Sequence, residues 1–206
     1  ADGYRVIKGV NGEKTYYLYE GDKVVLETDK DGKQTARNVY GSNLLMRTVD
    51  GQTYSYLYNG HADVTALIGE DGTVAASYYY DAFGNILESS GDVENNIRYS
   101  GYQYDEETGL YYLNARMYDP ETARFMQEDT YTGDTKDPLS LNLYTYCMNN
   151  PVIYSDPSGH VVVEATAVVY LVYETGVILI TTYAFLNSPL DKKAIHDGAV
   201  AIKDGR

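Results

Sequence analysis

A tyrosine returns along this chain at nearly constant spacing: Tyr19, Tyr40, Tyr58, Tyr80, Tyr99 and Tyr118, with gaps of 21, 18, 22, 19 and 19 residues. A second series runs between them: Asn11-Gly12, Asp31-Gly32, Asp50-Gly51 and Asp71-Gly72, with gaps of 20, 19 and 21. Two interleaved series with one period describe a repeat architecture. Asn-Gly and Asp-Gly supply the positive φ that a two-residue hairpin needs. The runs beside them (16–19, 23–27, 44–49, 54–58, 73–77 and 77–80) are rich in Tyr, Val, Thr and Leu, which suit a pleated surface. Each unit therefore reads as about two antiparallel strands joined end to end in a meander. The fold class is mainly β, with helix scarce before about residue 160.

The core such a chain can build follows from its composition: 24 Tyr, 3 Phe and no Trp among 206 residues. Tyrosine brings apolar ring area together with a hydroxyl that needs a partner when buried. The formal charge of −14 disfavours nucleic acid as a partner of the core and repels anionic membrane surfaces. A single cysteine, Cys147, allows no internal disulfide; between Tyr146 and Met148 it reads as a small buried hydrophobe. The three histidines, His61, His160 and His196, are far apart, so the sequence supports no metal and no cofactor. The repeats start in mid-pattern behind Ala1-Asp2-Gly3-Tyr4, with no signal-peptide pattern, so the sequence reads as part of a longer protein.

Three segments stand out: repeats over 1–97, a motif-dense stretch over 98–160, and a compositionally distinct tail over 161–206. Tyr80-Asp81-Ala82-Phe83-Gly84-Asn85 resembles a YD repeat. The dense stretch contains Gly109-Leu110-Tyr111-Tyr112-Leu113-Asn114-Ala115-Arg116-Met117-Tyr118-Asp119-Pro120, a motif too long for composition to explain. It resembles the Rhs repeat-associated core domain of bacterial polymorphic toxins, shared in looser form with the C component of Tc toxins and with teneurins. The resemblance covers most of residues 1–160. It implies an antiparallel YD-repeat strip that forms the end of a hollow spiral shell, closed by an inward plug. It also implies a secreted or cell-surface protein. Its partners would be the rest of the shell, its own C-terminal cargo segment and, as a candidate, an immunity protein.

The resemblance further implies self-cleavage at the end of the core by two aspartates. An Arg-Phe-x-x-x-Asp motif places the first on Asp129, with Arg124 tuning it. Asn150-Pro151 followed by Asp156-Pro157-Ser158-Gly159 places the second on Asp156. The scissile bond would join His160 to Val161. Asp129 is followed by Thr130, whereas Asp137-Pro138 restores an Asp-Pro nearby, so Asp137 is a second candidate for the first carboxylate. Chemically, one of two close carboxyl groups keeps a proton and polarises a carbonyl while the other activates water. Asp156 lies four residues before the bond, and the intervening turn delivers that bond intramolecularly. Asp-Pro pairs are also ordinary turn formers, as Asp119-Pro120 reads here. The alternative is thus a non-enzymatic YD-repeat surface scaffold or adhesion module.

The tail opens with Val161-Val162-Val163 and stays apolar to Leu186, interrupted by Glu164 and by Glu174-Thr175-Gly176 in its middle. A buried helix, a helical hairpin, enclosed cargo or membrane contact over 161–186 all fit this pattern. Ser188, Pro189 and Asp191 then start a short helix from about 189 to 197, giving a short helical C-terminal tail. By position the tail is the variable pre-toxin or cargo region, and no catalytic constellation is visible in it.

Overall fold

A computed structural model describes residues 3–136, 138–160, 162–164, 168–173 and 176–181. The repeats form nine strands: β1 (Ile7–Val10), β2 (Glu13–Glu20), β3 (Lys23–Thr28), β4 (Gln34–Tyr40), β5 (Leu44–Val49), β6 (Gln52–Tyr58), β7 (Val64–Ile68), β8 (Val74–Tyr80) and β9 (Ile86–Ser90). They pair strictly in chain order, each antiparallel to the next. Among the described residues β1 and β9 each have one neighbour, so the sheet is an open strip and not a closed barrel. The expected pair of strands at 73–77 and 77–80 is one strand, β8. Ser77 continues the alternation of its neighbours, and nothing in Ala75-Ala76-Ser77-Tyr78 breaks an extended chain.

Two kinds of turn share the Gly series. Asn11-Gly12 and Asp50-Gly51 both have positive φ at each residue and close two-residue hairpins, with Val10 facing Glu13 and Val49 facing Gln52. Asp31-Gly32 and Asp71-Gly72 instead sit inside five-residue loops. In those, the first residue's N–H donates to the fifth carbonyl, and the fourth N–H returns to the first carbonyl. The same pattern recurs at 29–33, 59–63, 69–73, 81–85 and 98–102. The recurrent tyrosine marks a sheet end: Tyr40, Tyr58 and Tyr80 each close a strand. Tyr19 and Tyr58 both donate their hydroxyls to a carbonyl 14 residues earlier, on Arg5 and Leu44.

One face of the strip is buried. Leu44, Tyr56, Val64, Leu67, Ala76 and Tyr78 pack there with Ile97. Within that face Arg47 makes two bonds to the Glu27 carboxylate, at 2.7 and 3.2 Å, a pairing that neutralises the buried cation while its Nε is left without a hydrogen-bond partner.

Beyond the strip lies a second sheet of β10 (Gln103–Asp105), β11 (Leu110–Leu113), β12 (Arg116–Asp119) and β13 (Arg124–Phe125). Its core is almost wholly aromatic: Tyr99, Tyr102, Tyr111, Tyr118, Phe125 and Tyr146, with Leu113 and Cys147. Burial pushes the Cys147 thiol up to about 12, in keeping with an inert packing residue. Three tyrosine hydroxyls dock this module on the strip by donating to successive carbonyls of one loop: Tyr99 to Ala82 at 2.7 Å, Tyr118 to Phe83 at 2.8 Å and Tyr111 to Gly84 at 2.9 Å. Gly84 has a φ of +92°, and a Cβ there would come within 2.7 Å of the Tyr99 ring.

A short ladder follows, β14 (Tyr154–Ser155) against β15 (Val163–Glu164). The apolar tail then forms a hairpin of β16 (Val168–Tyr173) and β17 (Gly176–Thr181). The helical readings of this stretch are therefore corrected: β-branched residues fill seven of the twelve positions of the two strands, and they suit a pleated strand better than a helix. Among the described residues no helix is long and apolar enough to cross a membrane. The helix expected from 189 to 197 lies outside the described residues.

Candidate functional site

The site gathers around Arg116, the first residue of β12. Its neighbours in that strand alternate, so Arg116 and Tyr118 both point inward. The side chain is 4% exposed. Burying a guanidinium costs several kcal/mol unless its donors are matched, and here each of its three nitrogens has a partner. One Nη2 reaches Asp129 Oδ2 at 2.7 Å and Asp156 Oδ2 at 3.3 Å. Nη1 donates to the Leu143 carbonyl at 3.1 Å, and Nε donates to the Gly159 carbonyl. The plane lies over the Phe125 ring, 3.6 Å from its centroid. Burial lowers the Arg116 pKa from its ordinary value, and the charges of Asp129 and Asp156 offset this only in part.

Each aspartate is held by local chemistry. Asp129 follows β13; its N–H donates to the Leu143 carbonyl and its Oδ1 accepts from Tyr131 N–H. Asp156 follows β14 and is 1% exposed. Its N–H donates to the Tyr102 hydroxyl at 2.8 Å, and its Oδ1 accepts the His160 N–H at 3.0 Å and the Ser158 hydroxyl at 3.2 Å. Gly159, at a φ of +73°, makes this turn possible, since a Cβ would meet the Leu113 carbonyl oxygen. The His160 ring returns to Asp129, with Nδ1 3.3 Å from Oδ1. A cavity of about 400 Å³ opens beside Arg116, Asp129 and His160, walled by Tyr131, Leu143 and Val162.

The structure thus brings together Asp129, Asp156 and His160 of the residues singled out from sequence. Arg124 lies elsewhere: its Nη1 donates to Asn149 Oδ1 at 2.8 Å and to the Ala123 carbonyl. The cation between the two carboxylates is Arg116, eight residues upstream. A signal for it was present, because an arginine at an inward position between Leu113 and Tyr118 has to be paired. Asp137 and Val161 lie outside the described residues. Among the described residues no cluster of His, Cys, Asp and Glu has the arrangement of a metal site.

The teneurin YD-shell family model matches residues 10–152, the strip and most of the second module. The chain belongs to the teneurin YD-shell family. YD-shell relatives include the tRNA3(Ser)-specific nuclease WapA of Bacillus spizizenii, 48% identical over 165 residues, 77% of this chain and 7% of that protein. The tRNA nuclease WapA of Bacillus subtilis is 45% identical over the same span. The toxin protein Tse5 of Pseudomonas aeruginosa is 39% identical over 70 residues, covering 32% of this chain and 5% of Tse5. Among solved structures, the TcdB2-TccC3-Cdc42 crystal structure superposes with a TM-score of 0.62 at 23% identity, over 77% of this chain and 8% of that one. A Photorhabdus luminescens Tc holotoxin pore gives 0.60 at 22% identity, over 77% and 8%. The fold is therefore that of a YD-shell segment, and the chain spans less than a tenth of the length of these proteins.

Proposed function

We propose that this YD-shell segment closes a container around its own C-terminal cargo and cuts itself after His160. The observation that carries this reading is a grip on the backbone. Arg116 holds the Gly159 carbonyl and Asp156 holds the His160 N–H, so the two groups just before the His160–Val161 bond are fixed by the charged residues themselves. In the reaction, a water forms the new C–O bond at the His160 carbonyl carbon and gives its proton to one carboxylate. The other aspartate, in its acid form, protonates the leaving nitrogen of Val161 as the C–N bond breaks. Arg116 fixes the two carboxyl groups and stabilises developing negative charge. The fixed backbone supplies proximity, which is worth several kcal/mol in an intramolecular reaction.

Residues 161–206 would be the released cargo, the missing shell would join at β1, and an immunity protein would answer the cargo. Placement would be secreted or cell-surface, as for a delivered toxin. The test is the denatured mass of the purified chain, 23.0 kDa when intact, beside Asp129→Asn and Asp156→Asn. Two fragments meeting at His160/Val161, absent from both variants, are expected. A single intact species in all three overturns self-cleavage and leaves a non-enzymatic YD-repeat scaffold.

A further inference from the structure

His61 lies in the five-residue loop 59–63 between β6 and β7, where a charged residue would ordinarily face solvent. The loop is rigid for its size. Asn59 Oδ1 accepts both the His61 and the Asp63 N–H, each at 2.9 Å, and Ala62 takes a φ of +66°. This frame turns the imidazole away from water, to 15% exposure, and onto the second module, where it lies 5.3 Å from the Tyr99 ring. Each ring nitrogen then meets an oxygen. Nδ1 is 2.9 Å from Asp63 Oδ1, and Nε2 is 3.3 Å from the Tyr154 carbonyl oxygen.

Both oxygens only accept. Asp63 also accepts from Ser100 N–H at 2.9 Å and from Asn59 Nδ2 at 2.7 Å. A neutral imidazole has one N–H and one bare nitrogen, so it would leave a lone pair pressed against an oxygen. The doubly protonated ring alone satisfies the geometry. Burial works against that charge, but the Asp63 hydrogen bond, its charge and the Tyr154 and Pro151 carbonyls outweigh it, so the His61 pKa is raised from 6.5. The groups facing the ring from its three neighbouring segments are Asp63, the Tyr99 phenol and those two carbonyls. Burial raises the Tyr99 pKa far beyond the neutral range, and Arg98, in the same loop, points to the Tyr78 and Tyr104 rings.

We propose that His61, as an imidazolium bridging Asp63 and the Tyr154 carbonyl, is a positioning residue that ties the repeat strip to the strand delivering Asp156, and that it lets go as pH rises. Tyr154 opens β14, and Asp156 follows two residues later, anchored on its other side by Tyr102. When one proton leaves, the bond to the carboxylate is kept as the stronger of the two, and the Nε2 contact with Tyr154 fails. The sign follows from the raised pKa: the tether is complete below the ordinary histidine value and is lost as pH climbs through the folded one. Its effect on cleavage rests on the self-cleavage proposed above; the tether itself does not.

The experiment compares the parent chain with His61→Gln, which offers an uncharged donor to Tyr154, and His61→Phe, which keeps the ring contact and offers none. Cleavage is followed from about pH 5.5 to about pH 9, a range centred on histidine titration. His61→Phe should cut roughly 10- to 100-fold more slowly at the acid end, the scale of a misplaced catalytic group. His61→Gln should retain the acid-end rate and decline less steeply than the parent at high pH, keeping only the decline that comes from losing the aspartate acid. Imidazole nitrogen NMR on uncut Asp129→Asn chain should show both ring nitrogens still protonated below pH ~6.5, the ordinary histidine value, and one proton lost as pH rises above it. A neutral ring below pH ~6.5, or His61→Phe cutting at the parent rate, overturns the proposal. If the parent itself stays intact, self-cleavage fails separately. The tether is then judged by NMR and by hydrogen-exchange protection of the Asp156 amide. Loss of that protection in His61→Phe supports the tether, and unchanged protection overturns it.

Discussion

Arg116 holds four oxygen partners and an aromatic face with one planar cation. Its nearest carboxylate neighbours are 12% and 1% exposed, so water cannot replace it. Arg116→Met should therefore leave Asp156 as an uncompensated buried charge and destabilise the chain by about 3–5 kcal/mol in urea unfolding. Arg116→Lys should recover part of this, because an ammonium supplies charge without the planar fork that serves Gly159, Leu143 and two aspartates at once. A loss below about 1 kcal/mol for Arg116→Met would mean that the pair is solvated, as surface pairs are. In the sequence Asp129 and Asp156 stand out as motif positions, and Arg124, beside Phe125 in the same motif, is the cation nearest to Asp129 along the chain. Sequence proximity favours Arg124; the strand alternation that turns Arg116 inward and Arg124 toward Asn149 is visible only once β12 and β13 are paired. His61 was invisible for a related reason, since its partner Tyr154 is 93 residues away.

Among the elements, the loop at 81–85 joins the two modules with little more than its backbone. Three buried phenols converge on three consecutive carbonyls, and Asn85 Nδ2 adds a bond to the Pro120 carbonyl at 3.0 Å. Tyr111 is fully buried, so Tyr111→Phe should leave the Gly84 carbonyl unpaired and cost about 1–3 kcal/mol. Gly84→Ala should be at least as damaging, because a positive φ costs about 1–3 kcal/mol for a residue with a side chain and the new methyl collides with Tyr99. Thermal unfolding of both variants checks this; a Tyr111→Phe chain as stable as the parent would show that the docking bonds are exchanged freely for water. Five of the nine strands of the strip, β2, β3, β5, β6 and β8, are readable from runs rich in Tyr, Val, Thr and Leu, whereas β1, β4, β7 and β9 lack so dense a run. The turns were half readable. Asp-Gly marks both a two-residue hairpin and a five-residue loop, and what separates Asp50 from Asp31 is the residue that opens the turn. Asp29 and Gly69 start the longer loops, and a side chain such as Asp29 caps its own loop through N–H bonds from residues 31 and 33.

At the scale of the whole molecule, two forces oppose each other along the strip. An open antiparallel sheet presents unpaired backbone groups at both edges, which template pairing with another chain. Here β1 carries Ile7, and Val6 precedes it, at 46% and 58% exposure. Against that stands a net charge of −14, which makes two copies repel. Repulsion between exposed charges acts over a Debye length, ~10 Å at 0.1 M salt and ~3 Å at 1 M, whereas edge pairing is short-ranged and hardly screened. Salt should therefore shift the balance toward association. Sedimentation velocity is expected to show mostly monomer at low ionic strength and a growing dimer population as salt is added. Ile7→Lys should suppress that dimer at every salt concentration, since a lysine on an edge strand disfavours pairing and removes apolar area. Dimer that falls with added salt would mean that complementary charges, and not the β1 edge, bring the copies together.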